Sequence, residues 1–154
     1  MTVICASARE LPAAAQLACR LWEGHTPEEL LREFTAQTAS GETAIFVACN
    51  DTHNVCIDSQ TVVGFAQCTL RHDYVEGTES APVGYLEGIY VEASCRRTGC
   101  AAALLAACES WAREQGCTEF ASDCELDNAD SLAFHLHTGF TEANRIICFV
   151  KPLS

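Results

Sequence analysis

Val91-Glu92-Ala93-Ser94-Cys95-Arg96-Arg97-Thr98-Gly99-Cys100-Ala101 is the stretch on which the fold turns. An apolar run from Val83 to Val91 ends there, a loop follows with two adjacent arginines and a glycine, and the longest helical pattern of the chain begins. Ala101, Leu104, Leu105, Cys108, Trp111 and Ala112 keep one apolar stripe that stops at Gly116. A helix start leaves backbone N–H groups unpaired and pointing outward, which suits an anion. Gly99 and Ala101 place no bulk between that backbone and a pyrophosphate, and Arg96 and Arg97 add charge. The same residues also suit an ordinary helix start with exposed arginines. A short strand is expected next, from Thr118 to Asp123. A strand, a crossover helix and a following strand predict a parallel pair within a mixed sheet.

On the N-terminal side, Val3 to Cys5 reads as a first strand, and Leu11, Ala14, Ala18 and Leu21 recur at helical spacing. Thr26-Pro27-Glu28-Glu29 is a helix start: Thr as N-cap, Pro in the first turn, Glu where a capping box needs it. Leu30, Leu31 and Phe34 supply that helix's apolar face. Two strand-like runs, Ala44 to Cys49 and Val62 to Leu70, flank a polar turn at Asn50–Asn54. On the C-terminal side a helix is expected from Asn128 or Asp130 to Thr138, closed by Gly139, and then strands at Phe140–Glu142 and Ile146–Val150. The order β-α-α-β-β-β-α-β-α-β-β gives an α/β (α+β) fold, with helices flanking a mixed central sheet.

The 154 residues make about one domain, read as 1–154 without repeat or linker. A composition 49% hydrophobic and 19% charged excludes disordered and collagen-like classes. The net charge of −12 argues against nucleic acid and favours cationic partners. Met1 to Ala6 lacks the basic start and apolar core of an export signal, and no apolar stretch is long enough to span a membrane, so a cytoplasmic location is expected. The 11 cysteines form no Cys-x-x-Cys pair and sit mostly among Ala, Val and Leu. They read as small core residues in a reducing compartment, with no metal site and no cysteine set up as a nucleophile.

Arg96-Arg97-Thr98-Gly99-Cys100-Ala101 resembles the acetyl-CoA loop of GNAT-type N-acetyltransferases. The resemblance narrows through Leu21-Trp22-Glu23-Gly24-His25, Arg71-His72-Asp73-Tyr74-Val75, Leu86-Glu87-Gly88-Ile89-Tyr90-Val91, Ala121-Ser122-Asp123 and Gly139-Phe140. Those segments are similar to the aminoglycoside 6'-N-acetyltransferases, in the same order and over nearly the whole chain. The resemblance implies a GNAT fold with a β-bulge around Glu87. It also implies acetyl transfer from acetyl-CoA to the 6'-amine of aminoglycosides, antibiotic resistance as the outcome, and a homodimer.

By the same resemblance, Ile89, Tyr90 and Val91 lie along the pantetheine arm, with a backbone N–H on the acetyl carbonyl. Arg96 to Ala101 hold the pyrophosphate, and Asn128 holds the arm, although Asn128 suits a plain N-cap equally well. Glu87 and Asp123 face the acceptor: Glu87 as base, Asp123 chiefly as substrate ligand, an assignment the residues leave open. Trp22, His25 and Tyr74 match substrate positions, and Trp22 also reads as a core aromatic. His135 stands where many relatives carry a Tyr that protonates the departing thiolate; a histidine can donate a proton there, and the alternative is that the thiol leaves as thiolate, stabilised by a helix end or water. Asn144 stands where close relatives carry an acid, with Glu142 nearby as a replacement charge. Two rivals remain open: a GNAT enzyme for a polyamine or peptide amine, and a non-catalytic module that binds cationic drugs.

Overall fold

The computed structural model describes residues 1–50 and 61–153, so the turn read at residues 51–54 lies outside the described residues. Strands β1 (Thr2–Cys5), β2 (Thr43–Asn50), β3 (Thr61–Arg71), β4 (Val83–Val91) and β5 (Phe120–Ser122) form one sheet in the order β1-β2-β3-β4-β5. Neighbours run antiparallel except β4 and β5, which are parallel. Helices α1 (Leu11–Ala18) and α2 (Pro27–Ala39) precede β2; α3 (Cys100–Glu114) crosses from β4 to β5, and α4 (Ala129–His137) follows.

The α2 start forms as its sequence predicts. Thr26 Oγ1 accepts from the Glu29 backbone N–H, and the Glu29 carboxylate accepts from Thr26 N, so each satisfies a donor that the helix leaves unpaired. That carboxylate is held below its ordinary pKa by the bond from the Thr26 backbone.

Period-two alternation divides the sheet's faces. On β2, Ala44, Phe46 and Ala48 pack with Leu104, Leu105 and Cys108 of α3, whereas Ile45, Val47 and Cys49 pack with Leu11, Leu17, Leu30 and Phe34 of α1 and α2. Both faces are covered, so β2 is buried from Thr43 to Cys49, and Ala44 to Cys49 is an unbroken apolar run.

Among the described residues five cysteines are buried and two half-buried, but Cys5, Cys124 and Cys148 are exposed, so core packing does not account for those three. The bond with Cys68 and then burial push the Cys108 thiol up, and burial does the same to Cys100; such thiols are poor nucleophiles.

Gly84 of β4 sets how closely α3 approaches the sheet. A Cβ there would stand 2.6 Å from Ala112 Cβ of α3 and 2.5 Å from the Phe120 ring. Gly84→Ala therefore overpacks this contact and lowers stability by about 1–3 kcal/mol. A urea unfolding midpoint unchanged from wild type would show that α3 can shift without cost.

Two expected strands are absent. Phe140–Glu142 and Ile146–Val150 have no strand pairing, and the backbone from Phe140 to Leu153 is irregular. A strand needs a ladder partner, and among the described residues the sheet stops at the three-residue β5. Ile146, Ile147, Phe149, Val150 and Leu153 are therefore exposed.

Candidate active site

The site begins where the sheet opens. β4 and β5 pair only through Gly84–Phe120, Tyr85–Ala121 and Leu86–Ser122. Beyond Leu86, β4 continues to Val91 with no β5 residue beside it, which frees one edge of its backbone around Ile89, Tyr90 and Val91. On the other edge, Gln67 of β3 faces Gly88 and Cys68 faces Leu86, so Glu87 has no counterpart in the ladder. This extra residue is a bulge, which re-aims a side chain.

Glu87 is held by β3. Its Oε1 accepts from Thr69 Oγ1 at 2.6 Å and from Arg71 Nε and Nη2 at 3.2 and 3.0 Å, while Oε2, among the described residues, accepts from Arg71 Nη2 alone, at 2.9 Å. The Arg71 guanidinium also lies 3.5 Å above the Tyr85 ring. Tyr85 in turn lies beside Asp123; burial first, and then the Asp123 charge, push the phenol far above its ordinary pKa. Tyr85 thus remains a donor, and a continuous chain of contacts (Glu87, Arg71, Tyr85, Asp123) links the two carboxylates named from sequence.

A cleft of ≈ 400 Å³ lies between α2 and the sheet, lined by Trp22, His25, Leu30, Glu33, Phe34, Gln37, Gln67, Thr69 and Glu87. Trp22 meets Phe34 and Phe65 edge-on, with centroids 6.4 and 5.9 Å away. It comes this close to β4 because Gly88 has no side chain: a Cβ there would stand 2.6 Å from Trp22 Cζ2. Trp22 is thus both a core aromatic and a wall of the cleft. Gln67, only 5% exposed, donates to Gln37 Oε1 at 2.8 Å and forms part of the floor.

Other positions named from sequence lie elsewhere. Tyr74 is 76% exposed and is not among the cleft residues. Asn144 donates to Glu76 at 2.9 Å, tying the C-terminal segment to the loop after β3. Glu142 is ion-paired with Arg145 at 2.6 Å, which holds its carboxyl below the usual range. A replacement charge at Glu142 is therefore already matched within the chain.

At the start of α3, Gly99 takes φ +84° and Arg97 φ +60°, curling the backbone ahead of N–H groups that no side chain caps. Arg96 donates to Val91 O at 3.0 Å and lies over the Tyr90 ring, so it pins the loop to β4. Arg97 is exposed and supplies the outward charge. Thr98 donates to Cys95 O at 2.7 Å, and Cys100 is buried beside the half-buried Ala101. Asn128 caps α4 by accepting from Ser131 N at 3.0 Å. His135 places Nδ1 2.7 Å from Ser131 O and Nε2 2.9 Å from Ser122 Oγ.

Sequence reasoning gave no role to Thr69, Arg71, Ser122, Glu33, Gln37 or Gln67, although Arg71 and Ser122 lie in segments that carry the resemblance. Only Glu33 and Gln37 carried a local signal, standing i, i+4 on α2 beside Leu30 and Phe34.

Residues 11–140 match the model of the acetyltransferase (GNAT) family. A Stenotrophomonas maltophilia aminoglycoside N(6')-acetyltransferase type 1 is 42% identical over 99% of this chain and 94% of its own length. A Serratia marcescens protein of the same name is 40% identical over 99% of both chains. Among solved structures, aminoglycoside acetyltransferase AAC(6')-Iy with a CoA–acetylneamine bisubstrate analogue superposes at a TM-score of 0.87, with 34% identity, covering 99% of this chain and 98% of that one. The Acinetobacter baumannii aminoglycoside antibiotic 6'-N-acetyltransferase AAC(6')-Ih reaches 0.89 at 34% identity and 99% of each chain. By the family match along residues 11–140 and the relatives alike over nearly its whole length, the chain belongs to the GNAT family of acetyltransferases, within the group of aminoglycoside N(6')-acetyltransferases.

Proposed function

We propose that residues 1–154 act as one catalytic domain that transfers acetyl from acetyl-CoA to the 6'-amine of aminoglycoside antibiotics, by direct attack within a ternary complex. The observation that carries this reading is the place of Glu87. It stands at the point where β4 parts from β5 and on the wall of the cleft lined by Trp22 and His25. An acetyl group laid along the free β4 edge and an amine held in the cleft would meet beside its carboxylate. Holding the two reactants in that alignment supplies much of the rate.

The free backbone of Ile89 to Val91 pairs with the pantetheine arm, and an N–H of this edge polarises the acetyl carbonyl. The α3 start, from Arg96 to Ala101, holds the pyrophosphate, with Arg97 as its outward charge. The amide of Asn128, whose oxygen already caps α4, reaches the arm with its remaining donors. Glu87 Oε2, engaged by a single bond, takes the proton of the bound ammonium. Asp123, Trp22 and His25 hold the sugar, with Tyr74 and Asn144 at its outer reach. His135 is the source of the proton for the departing thiolate. A net charge of −12 speeds the encounter with a polycation.

The exposed tail supports a homodimer, in which a second copy covers Ile147, Phe149, Val150 and Leu153. No helix among the described residues is long and apolar enough to cross a membrane. The cytoplasm is where acetyl-CoA and incoming antibiotic would meet the enzyme.

Neomycin carries an amine at the 6' carbon where paromomycin carries a hydroxyl, so acetylation followed by mass spectrometry tests the regiochemistry. Acetyl gain on neomycin and none on paromomycin is the expected result. Equal gain on both moves the reaction to another amine.

A further inference from the structure

Ser122 occupies the last rung of the β4–β5 pairing, opposite Leu86, at the apex of the opening where β4 goes on alone. Its hydroxyl has one proton and three acceptors in reach: His135 Nε2 at 2.9 Å, Leu86 O at 3.2 Å and, farthest, Asp123 O at 3.5 Å. Which of them receives it follows from the histidine. His135 Nδ1 lies 2.7 Å from Ser131 O, and a carbonyl only accepts, so Nδ1 carries a hydrogen. A neutral ring then presents a lone pair at Nε2, and Ser122 donates to it. An imidazolium presents an N–H there instead, and Ser122 turns its hydrogen toward Leu86 O. The ring is fixed between Phe134 and Phe140, with centroids 5.6 and 5.0 Å away, and Ser122 covers its Nε2.

We propose that Ser122 is the catalytic proton donor to the departing CoA sulfur, and that His135 acts through it, as the reservoir that refills the hydroxyl. This rests on the acetyl-transfer reading above. As the C–S bond breaks, its electron pair goes to sulfur and the Ser122 hydroxyl proton moves there, giving the free thiol. The Nε2 proton of the His135 imidazolium passes to Ser122 Oγ. The neutral ring regains a proton from water before the next cycle.

Two measurements on the full chain test this, and the first needs no acceptor. In calorimetry, the wild type binds CoA about tenfold more tightly than CoA lacking its sulfur, the worth of about one hydrogen bond. Ser122→Ala loses that preference, and Ser122→Thr, which keeps the hydroxyl, retains it. An undiminished preference in Ser122→Ala overturns the proposal. The second is single-turnover acetylation of neomycin by rapid quench. Ser122→Ala slows the chemical step by about 100-fold, Ser122→Thr recovers most of it, and adding His135→Gln to Ser122→Ala costs nothing further. Additive losses, or a wild-type rate in Ser122→Ala, overturn the relay while leaving the aminoglycoside reading intact. A wild type inert toward neomycin, with a serine-dependent preference for the sulfur, overturns the acceptor and keeps the donor.

Discussion

Glu87→Gln lowers kcat for neomycin acetylation by about 100- to 10,000-fold, the range expected when a positioned general base is removed. The KM for acetyl-CoA stays within a few-fold, because in the proposed reading the donor lies on the α3 start and the β4 edge and not on this carboxylate. The size of the effect separates chemistry from stability. The Arg71–Glu87 pair has side chains 42% and 26% exposed, and an ion pair that wet contributes at most about 1 kcal/mol to the fold. A loss of two to four decades in rate corresponds to about 2.7–5.4 kcal/mol of barrier, which the broken pair cannot supply. Steady-state kinetics beside a thermal melt make the comparison. If kcat holds within threefold and only the antibiotic's KM rises, Glu87 is a ligand and Asp123 inherits the role of base.

Glu87 and Asp123 could be singled out as candidates because each is an ionisable residue in or at the end of an apolar strand. The groups that control them were not. Thr69 and Arg71 lie 18 and 16 positions before Glu87 and reach it only through the β3–β4 register, including the one-residue slip at Gln67 and Cys68. No local pattern encodes that register. Ser122 is invisible for the same reason: its meaning comes from where β5 stops pairing, and a serine in a three-residue strand carries no signal of its own. By contrast, the Thr26–Glu29 box and the apolar stripe of α3 are local properties, and both formed where the sequence placed them. The tail shows the opposite failure. Ile146 to Val150 is as apolar as a strand, but local hydrophobicity predicts a wish to be covered, not the presence of a partner.

Phe65→Ala destabilises the protein by about 3–5 kcal/mol, the cost of removing a fully buried aromatic ring from a packed core. Phe65 is 0% exposed on the face of β3 that meets α1 and α2, and its ring contacts Phe34 and Trp22 with centroids 6.2 and 5.9 Å away. For a chain of this length, the loss lowers the melting temperature by about 6–20 °C. The consequence for function is one-sided, because the sheet separates two packing layers. Trp22 loses one of its two edge-on partners and with it the wall of the cleft, so the KM for the antibiotic rises. The α3 layer, whose first turn is the proposed donor site, packs on the opposite face, so the KM for acetyl-CoA holds. Phe34→Ala resembles it in size, and the double variant loses less than the sum, since the two rings touch each other. Strictly additive losses, or a Phe65→Ala protein within 1 kcal/mol of wild type in urea, would mean that α1 and α2 close over the gap. The acceptor cleft would then be built by helices that adapt rather than by a rigid aromatic floor.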